Sequence, residues 1–226
     1  EEAGVSKPTW GMVSGAGASF TWAGNSRENR LTPFANDPIS DPTGEAIYVR
    51  DDDSGVVWGA TPGPLPRHRD TNRWVIRHGA GVTRYQHGVP GLDQELAVMV
   101  DPTDPVKLSI LTITNTSNVA RRLSVFGFVE WCMGPPRPGE QRFVVTDRDE
   151  SGALLARNAY NQEFGDAVSF WQTTSPVRSW TCDRTEFLGR HGSTGTPAAL
   201  SRETLSGRAG AGLDACAALQ VALEIP

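Results

Sequence analysis

The 226-residue chain is poor in the features that mark the simplest function classes. Its three cysteines, Cys132, Cys182 and Cys216, are far apart in sequence and odd in number. That excludes a C-x-x-C zinc site and a complete disulfide framework, and it reads as buried free thiols in a reducing compartment. No basic block interrupts a net charge of −5, so the electrostatic footprint of a nucleic-acid or anionic-membrane binder is missing. No apolar run approaches the roughly 18 residues that would span a bilayer. The histidines His68, His78, His87 and His191 have no partners at metal-ligand or triad spacing, and no nucleophile-elbow string accompanies the serines. Long helical patterns are lacking too. The 24 glycines and 16 prolines fall mostly between apolar runs and leave room for one short helical turn in the last third.

What is present from Ala46 onward is strand signal. AIYVR, VVWGAT, WVIRHG, TRYQHGV, QELAVMV, RFVVTDR, ALLARN, AVSFWQT and AALQVALEI are separated by Gly, Pro and Asp clusters at the spacing of a sandwich or barrel. VKLSILTIT and RRLSVFGFVEW, joined by NTSNVA, read as one long hairpin, with Val106, Leu108 and Ile110 on the buried face of its first strand. Asn115, Thr116 and Ser117 spell a glycosylation acceptor but read as that hairpin's turn. Asp51, Asp52 and Asp53 precede Ser54 and Gly55 between two strands, and lack the spaced oxygens and closing glutamate of a helix-loop-helix calcium site. They read as a solvated hairpin tip with no ion. Residues 1–226 form one β-sandwich domain in this reading, a piece cut at both ends.

The richest stretch chemically is residues 22–50. It crowds Asn25, Arg27, Glu28, Asn29, Arg30, Asn36, Asp37, Asp41 and Glu45 into a segment without apolar period. Amides and carboxylates exchange hydrogen bonds with hydroxyls, guanidinium groups fork onto paired oxygens, and a tryptophan offers a flat ring. These are the tools of sugar binding, and Trp22 stands at the entrance. The same residue types also build ordinary loops, where they turn the backbone without meeting a ligand. Of the seven tryptophans, Trp22 is the one expected near a ligand and most of the rest are expected in the core.

The runs NSRENRLTP and NDPISDPTGEAIYVRD resemble the segment that opens the N-terminal β-sandwich of the cyclic β-1,2-glucan synthase and cellobiose phosphorylase group of inverting glycoside phosphorylases. VWGATPGP, RHGAGVTRYQH, DPTDPVKLSILTITNTSNVARRLSVFGFVEW, FVVTDRDESGALLARNAYNQEFG and SWTCDRTEFLGRHG resemble further pieces of the synthases' phosphorylase-like region, in the same order. The resemblance therefore covers nearly the whole chain. It implies an all-β fold, a galactose-mutarotase-like β-supersandwich of two large antiparallel sheets. It also implies that the catalytic (α/α)₆ barrel, which carries the aspartate general acid, is absent from this chain. No catalytic residue, metal or cofactor is then expected here, inorganic phosphate being a co-substrate of the parent enzyme.

By the same resemblance, Trp22, Asn25, Arg27, Glu28, Asn29 and Arg30 approach the mouth of the barrel and line the glucan pocket. The Gln141 and Arg142 pair matches a glutamine-arginine pair that reaches the sugar in cellobiose phosphorylases, and Glu130, which strand alternation points away from Trp131, is a further candidate for substrate binding. A surface pairing of Arg142 with Glu130 or Asp147 competes with that role. The implied partners are a β-glucan oligosaccharide and the barrel of the same polypeptide, with no nucleic acid. A free-standing carbohydrate-binding module and an assembly or dimerisation domain are the competing functions. The implied location is cytoplasmic, the parent being anchored in the inner membrane, if at all, through other segments.

Overall fold

A computed structural model describes residues 8–37, 39–66, 73–135 and 140–226. The central layer is a five-stranded antiparallel sheet. Its strands, in chain order, are β3 (Glu45–Asp51), β4 (Val57–Gly59), β9 (Arg121–Glu130), β13 (Val177–Asp183) and β14 (Ala215–Ile225). Their spatial order is β13-β14-β9-β3-β4. A four-stranded antiparallel sheet follows sequence order through β5 (Val75–His78), β6 (Val82–Val89), β7 (Leu92–Val100) and β8 (Lys107–Asn115). A hairpin of β1 (Thr9–Val13) and β2 (Ser19–Ala23) and a small sheet of β10 (Val145–Arg148), β11 (Leu154–Arg157) and β12 (Ser169–Trp171) complete the strands. The architecture is the expected all-β one of stacked antiparallel sheets. The expected short helix in the last third is α1 (Arg184–Leu188), capped by Asp183, whose carboxylate accepts from the Thr185 and Glu186 amides at 3.0 and 3.4 Å.

Period-two alternation along β9 explains why the central sheet is buried on both faces. Phe126 and Phe128 point outward with Tyr48 and Cys216, and Phe187, Leu188, Leu200 and Leu205 from the stretch after β13 cover them. Leu123 and Val125 point the other way, against Val49, Leu92, Leu111 and Ile113. Val129 continues that inner face onto Trp131, Leu154 and Ala217, with Trp171 packed alongside. All three cysteines are buried thiols, as their sequence positions suggest.

Three expectations need correction. The runs expected to form one hairpin lie in different sheets: β8 pairs with β7, while β9 pairs with β3 and β14. Their apolar faces meet across the sandwich instead of along a ladder, and alternation is identical in the two cases. The linking turn is as expected, since the Asn115 side chain accepts from the Ser117 amide at 3.0 Å and from its hydroxyl at 2.7 Å. Secondly, Leu108 and Ile110 are exposed, and β8 turns Leu111 and Ile113 inward. Thirdly, the aspartate turn joining β3 and β4 is no solvated tip throughout. Asp51 is 2% exposed and ion-paired with Arg121, while Asp52 and Asp53 pair with Arg50 and Arg122. Asp51 also accepts from the Asp53 and Ser54 amides, which fixes the turn.

Among the described residues β8 has a hydrogen-bonded neighbour on one side only. Between it, β9, β14 and β12 runs an open groove of about 1210 Å³, lined by Leu111, Val125, Leu219, Val221 and Trp171. At its lip the sheets are pinned by a charge pair. Lys107 of β8 donates to Glu45 of β3 at 2.6 Å, and Thr21 and Thr32 donate to the other carboxylate oxygen at 2.5 and 2.8 Å. Burial alone pushes the Glu45 carboxyl up, but the charge of Lys107 and these hydrogen bonds outweigh it and hold it below its ordinary value.

Candidate functional site

The polar loop after β2 is built by its own amides. Trp22 and Arg30 form a bridge that closes it, and the Ala23 and Asn29 backbones join at 3.3 Å. Asn25 accepts from the Arg27 and Glu28 amides at 2.9 and 3.0 Å, an Asx turn. Asn29 is 3% exposed and donates its side-chain amide to the Ala23 carbonyl at 2.9 Å. Both asparagines are therefore spent on folding the loop.

The charged members face out. Arg27 is paired with Glu28 at 3.4 Å, their side chains being 84% and 38% exposed. Arg30 donates to the Ser26 carbonyl at 3.0 Å, and its guanidinium carbon lies 5.7 Å from the centroid of Phe20. Phe20 stacks on both Trp22 and Phe34 with 4.9 Å between ring centres, which leaves Trp22 half-buried at the base of the loop. Further along, Asp37 caps a turn: the Ser40 hydroxyl, followed by the Ile39 and Ser40 amides, holds its carboxyl below the usual range.

Two distant segments are tied to this loop. After β9 the chain turns through Trp131, Cys132, Met133 and Gly134, where the Cys132 amide donates to the Leu31 carbonyl at 2.8 Å and the Gly134 amide to that of Arg30 at 3.0 Å. Met133 takes a φ of 51°, a left-handed backbone that a side chain rarely adopts and that the surroundings must enforce. Asn158, 3% exposed, helps to do so by donating to the Met133 carbonyl at 3.1 Å. Three residues on, Asn161 donates to the Glu28 carbonyl at 3.0 Å. The loop 24–30, the corner 131–134 and the loop 158–164 thus meet as one hydrogen-bonded cluster.

Arg142 reaches this neighbourhood through aromatic rings. It lies in the short 3₁₀ turn Glu140–Phe143, and its guanidinium carbon lies 4.9 Å from the centroid of Phe143, which itself stacks on Tyr160 at 4.4 Å. Gln141 lies in the same turn, its side chain outside the described residues. Glu130 does not join the cluster. It accepts from Arg184 at 2.9 Å, and Arg184 also bonds Asp214 at 3.2 Å, while Trp131 is buried on the other side. The pairing of Arg142 with Glu130 or Asp147 is likewise not formed, since Glu130 is held by Arg184 and Asp147 accepts from the Arg148 amide at 2.8 Å. Sequence reasoning passed over Asn158, Tyr160 and Asn161, whose only signal was the run NAYNQEFG within one of the matched segments. Among the described residues no three or more His, Cys, Asp or Glu side chains are grouped to hold a metal ion, and no helix is long and apolar enough to cross a membrane.

Residues 6–226 match the family model of the glycosyl hydrolase 94 supersandwich domain. The chain belongs to this family. It is 38% identical over 215 residues to the cyclic beta-(1,2)-glucan synthase NdvB of Rhizobium meliloti (strain 1021), which covers 94% of the chain and 8% of that relative. It is 24% identical to the N,N'-diacetylchitobiose phosphorylase of Vibrio proteolyticus over 92% of the chain and 27% of the relative. The solabiose phosphorylase of Paenibacillus borealis is 30% identical over 71% of the chain and 21% of its own length. The chain thus spans about a quarter or less of each of these curated relatives. This supersandwich belongs with a family of glucan synthases and glycoside phosphorylases, and what it matches in each is one part of a much longer polypeptide.

Proposed function

We propose that this chain is the N-terminal sandwich of a glycoside phosphorylase or cyclic β-1,2-glucan synthase module, which shapes the glucan-binding site and supports a catalytic barrel of the same polypeptide. The observation that carries this reading is the convergence of three loops into one cluster that leaves Arg27, Glu28, Arg30 and Arg142 at the surface while amides inside it hold the backbone. Such a surface suits hydroxyl-rich ligands: guanidinium groups fork onto paired oxygens, and Arg27, 84% exposed, has only a solvent-open pairing with Glu28 to give up. The closer similarity to a glucan synthase favours a β-1,2-glucan over the disaccharides named for the other relatives.

The sandwich by itself supplies no general acid in this reading. In the parent, a carboxylic acid of the barrel protonates the leaving glycosidic oxygen while inorganic phosphate attacks the anomeric carbon with inversion. The role of Arg27 and Arg30 is to bind and orient the chain of sugars entering that site. The three buried thiols fit a reducing, cytoplasmic location.

The test is kinetic, on the polypeptide that joins this sandwich to its barrel. The paired substitution R27A/R30A should lower kcat/KM for phosphorolysis of linear β-1,2-glucan by about tenfold or more, equivalent to roughly 1.4 kcal/mol of transition-state binding. Unchanged kinetics would remove the loop from the substrate site.

A further inference from the structure

We propose that Tyr160, backed by Phe143 and Arg142, is a stacking platform on this sandwich for one pyranose ring of a β-linked glucan. The proposal rests on the function proposed above and adds to it a specific subsite. Tyr160 is 66% exposed, the most exposed aromatic ring among the described residues. Leaving such a ring in water forgoes the large burial that aromatic side chains ordinarily supply. The ring is nevertheless held firmly. Phe143 covers one side at a centroid separation of 4.4 Å and 17° between planes, and the Arg142 guanidinium lies against Phe143 at 4.9 Å.

The backbone is fixed as well. The Tyr160 amide donates to the Asn158 side chain at 3.1 Å, and that same side chain anchors the strained Met133 carbonyl. The next residue, Asn161, is bonded to the Glu28 carbonyl at 3.0 Å, so the ring sits one residue from the tie to the polar loop. A flat ring of fixed orientation costs little further entropy when a ligand lands on it.

The chemistry selects a sugar. A β-linked pyranose has an apolar C–H face, which packs on an aromatic ring, and a rim of hydroxyls, which need donors and acceptors beside that ring. Tyr160 offers its own hydroxyl, and the loop bonded to Asn161 carries the Arg27 and Glu28 side chains. An apolar partner such as a protein helix would leave those groups unpaired, whereas a glucan pairs them.

The experiment uses this 226-residue chain, linear β-1,2-linked glucopentaose and cellopentaose, with binding followed by protein-detected NMR at millimolar sugar. Glucopentaose with β-1,2 linkage should shift the resonances of residues 158–161 and 27–30. Tyr160→Ala should weaken that binding about tenfold, the size of one aromatic contact, with the melting temperature lowered by no more than the few degrees that loss of the Phe143 stack costs, and Tyr160→Phe should remain within about threefold of the parent chain because it keeps the ring. Equal binding by Tyr160→Ala, or binding that shifts only residues elsewhere, overturns the platform. So does the absence of binding by either sugar. The proposed role of the polar loop is tested separately, by kcat/KM of R27A/R30A in the longer polypeptide.

Discussion

Asn161 donates its side-chain amide to the backbone carbonyl of Glu28 at 3.0 Å, joining loops 133 residues apart in sequence. Its carboxamide oxygen meanwhile accepts from the Glu163 and Phe164 amides at 3.2 and 3.1 Å, so one side chain shapes its own loop and positions another. Replacement by alanine should cost about 1–3 kcal/mol, the range for leaving partly buried partners unsatisfied. Amide hydrogen exchange should accelerate in residues 25–30 as well as in 161–164. Acceleration confined to 161–164 would show that the tie does not hold the polar loop.

Within that loop, Arg27 and Asn29 should behave in opposite ways. Arg27 is exposed and its pairing with Glu28 is open to water, so Arg27→Ala should change stability by no more than about 0.5 kcal/mol. Asn29 is buried with its amide on the Ala23 carbonyl, and Asn29→Ala should cost about 1–3 kcal/mol. Urea denaturation of the two variants compares them directly. Equal losses would mean that the loop's charges are structural and are not held free for a ligand.

The Glu45–Lys107 pair predicts a pH dependence. The Glu45 carboxyl is held below its unfolded value, so its stabilisation is complete above that value, near 4.5, and is lost as pH falls through the lower folded value. Glu45→Gln leaves Lys107, only 10% exposed, without its counter-charge and should cost about 3–5 kcal/mol at pH 7. The gap in denaturation midpoint between parent and variant should narrow below about pH 4. Adding Lys107→Met to the variant should restore part of the loss. A gap of constant size from pH 3 to pH 7 would contradict an ionised, coupled Glu45.

Gly127 of β9 leaves a notch for the Trp171 ring. A β-carbon built there would lie 3.0 Å from Trp171 Cζ2 and 3.3 Å from Nε1, tighter than side chains pack. Gly127→Val should therefore displace the indole and cost about 1–3 kcal/mol by overpacking. The melting temperature reports the cost, and a red shift in tryptophan emission reports the displacement. Unaltered emission would place the strain elsewhere in the strand.

Much of this fold was legible because apolar alternation, as in Phe126 and Phe128 against Leu123 and Val125, marks a strand and its two faces without reference to neighbours. What alternation does not encode is the neighbour itself, which is why β8 and β9 read as a hairpin while facing each other across the sandwich. Leu108 and Ile110 misled for a related reason: β8 carries apolar residues on both faces at an edge, and hydrophobicity alone does not say which face meets the core. The candidate site stood out as the polar run 25–30. Asn25 and Asn29 nonetheless serve the backbone there, and no local pattern distinguishes an amide that folds a loop from one that meets a ligand. Asn158 and Asn161 were hidden because their bonds to Met133 and Glu28 bridge distant parts of the chain. Glu130 read as a partner for Arg142 or for a sugar, because its partner in the fold, Arg184, lies 54 positions away.

The groove beside β8 has a calorimetric consequence. Unfolding raises the heat capacity by about 0.45 cal/K/mol for each Å² of apolar surface newly exposed to water. The parts of Leu111, Val125, Leu223 and Ile225 that face the groove already meet solvent in the folded chain, and so contribute nothing to that increment. The stability curve of this chain is accordingly shallower, per residue, than that of a sandwich closed over the same strands, and its stability responds less to cooling. Any polypeptide that filled the groove would steepen the curve by removing that hydrated surface.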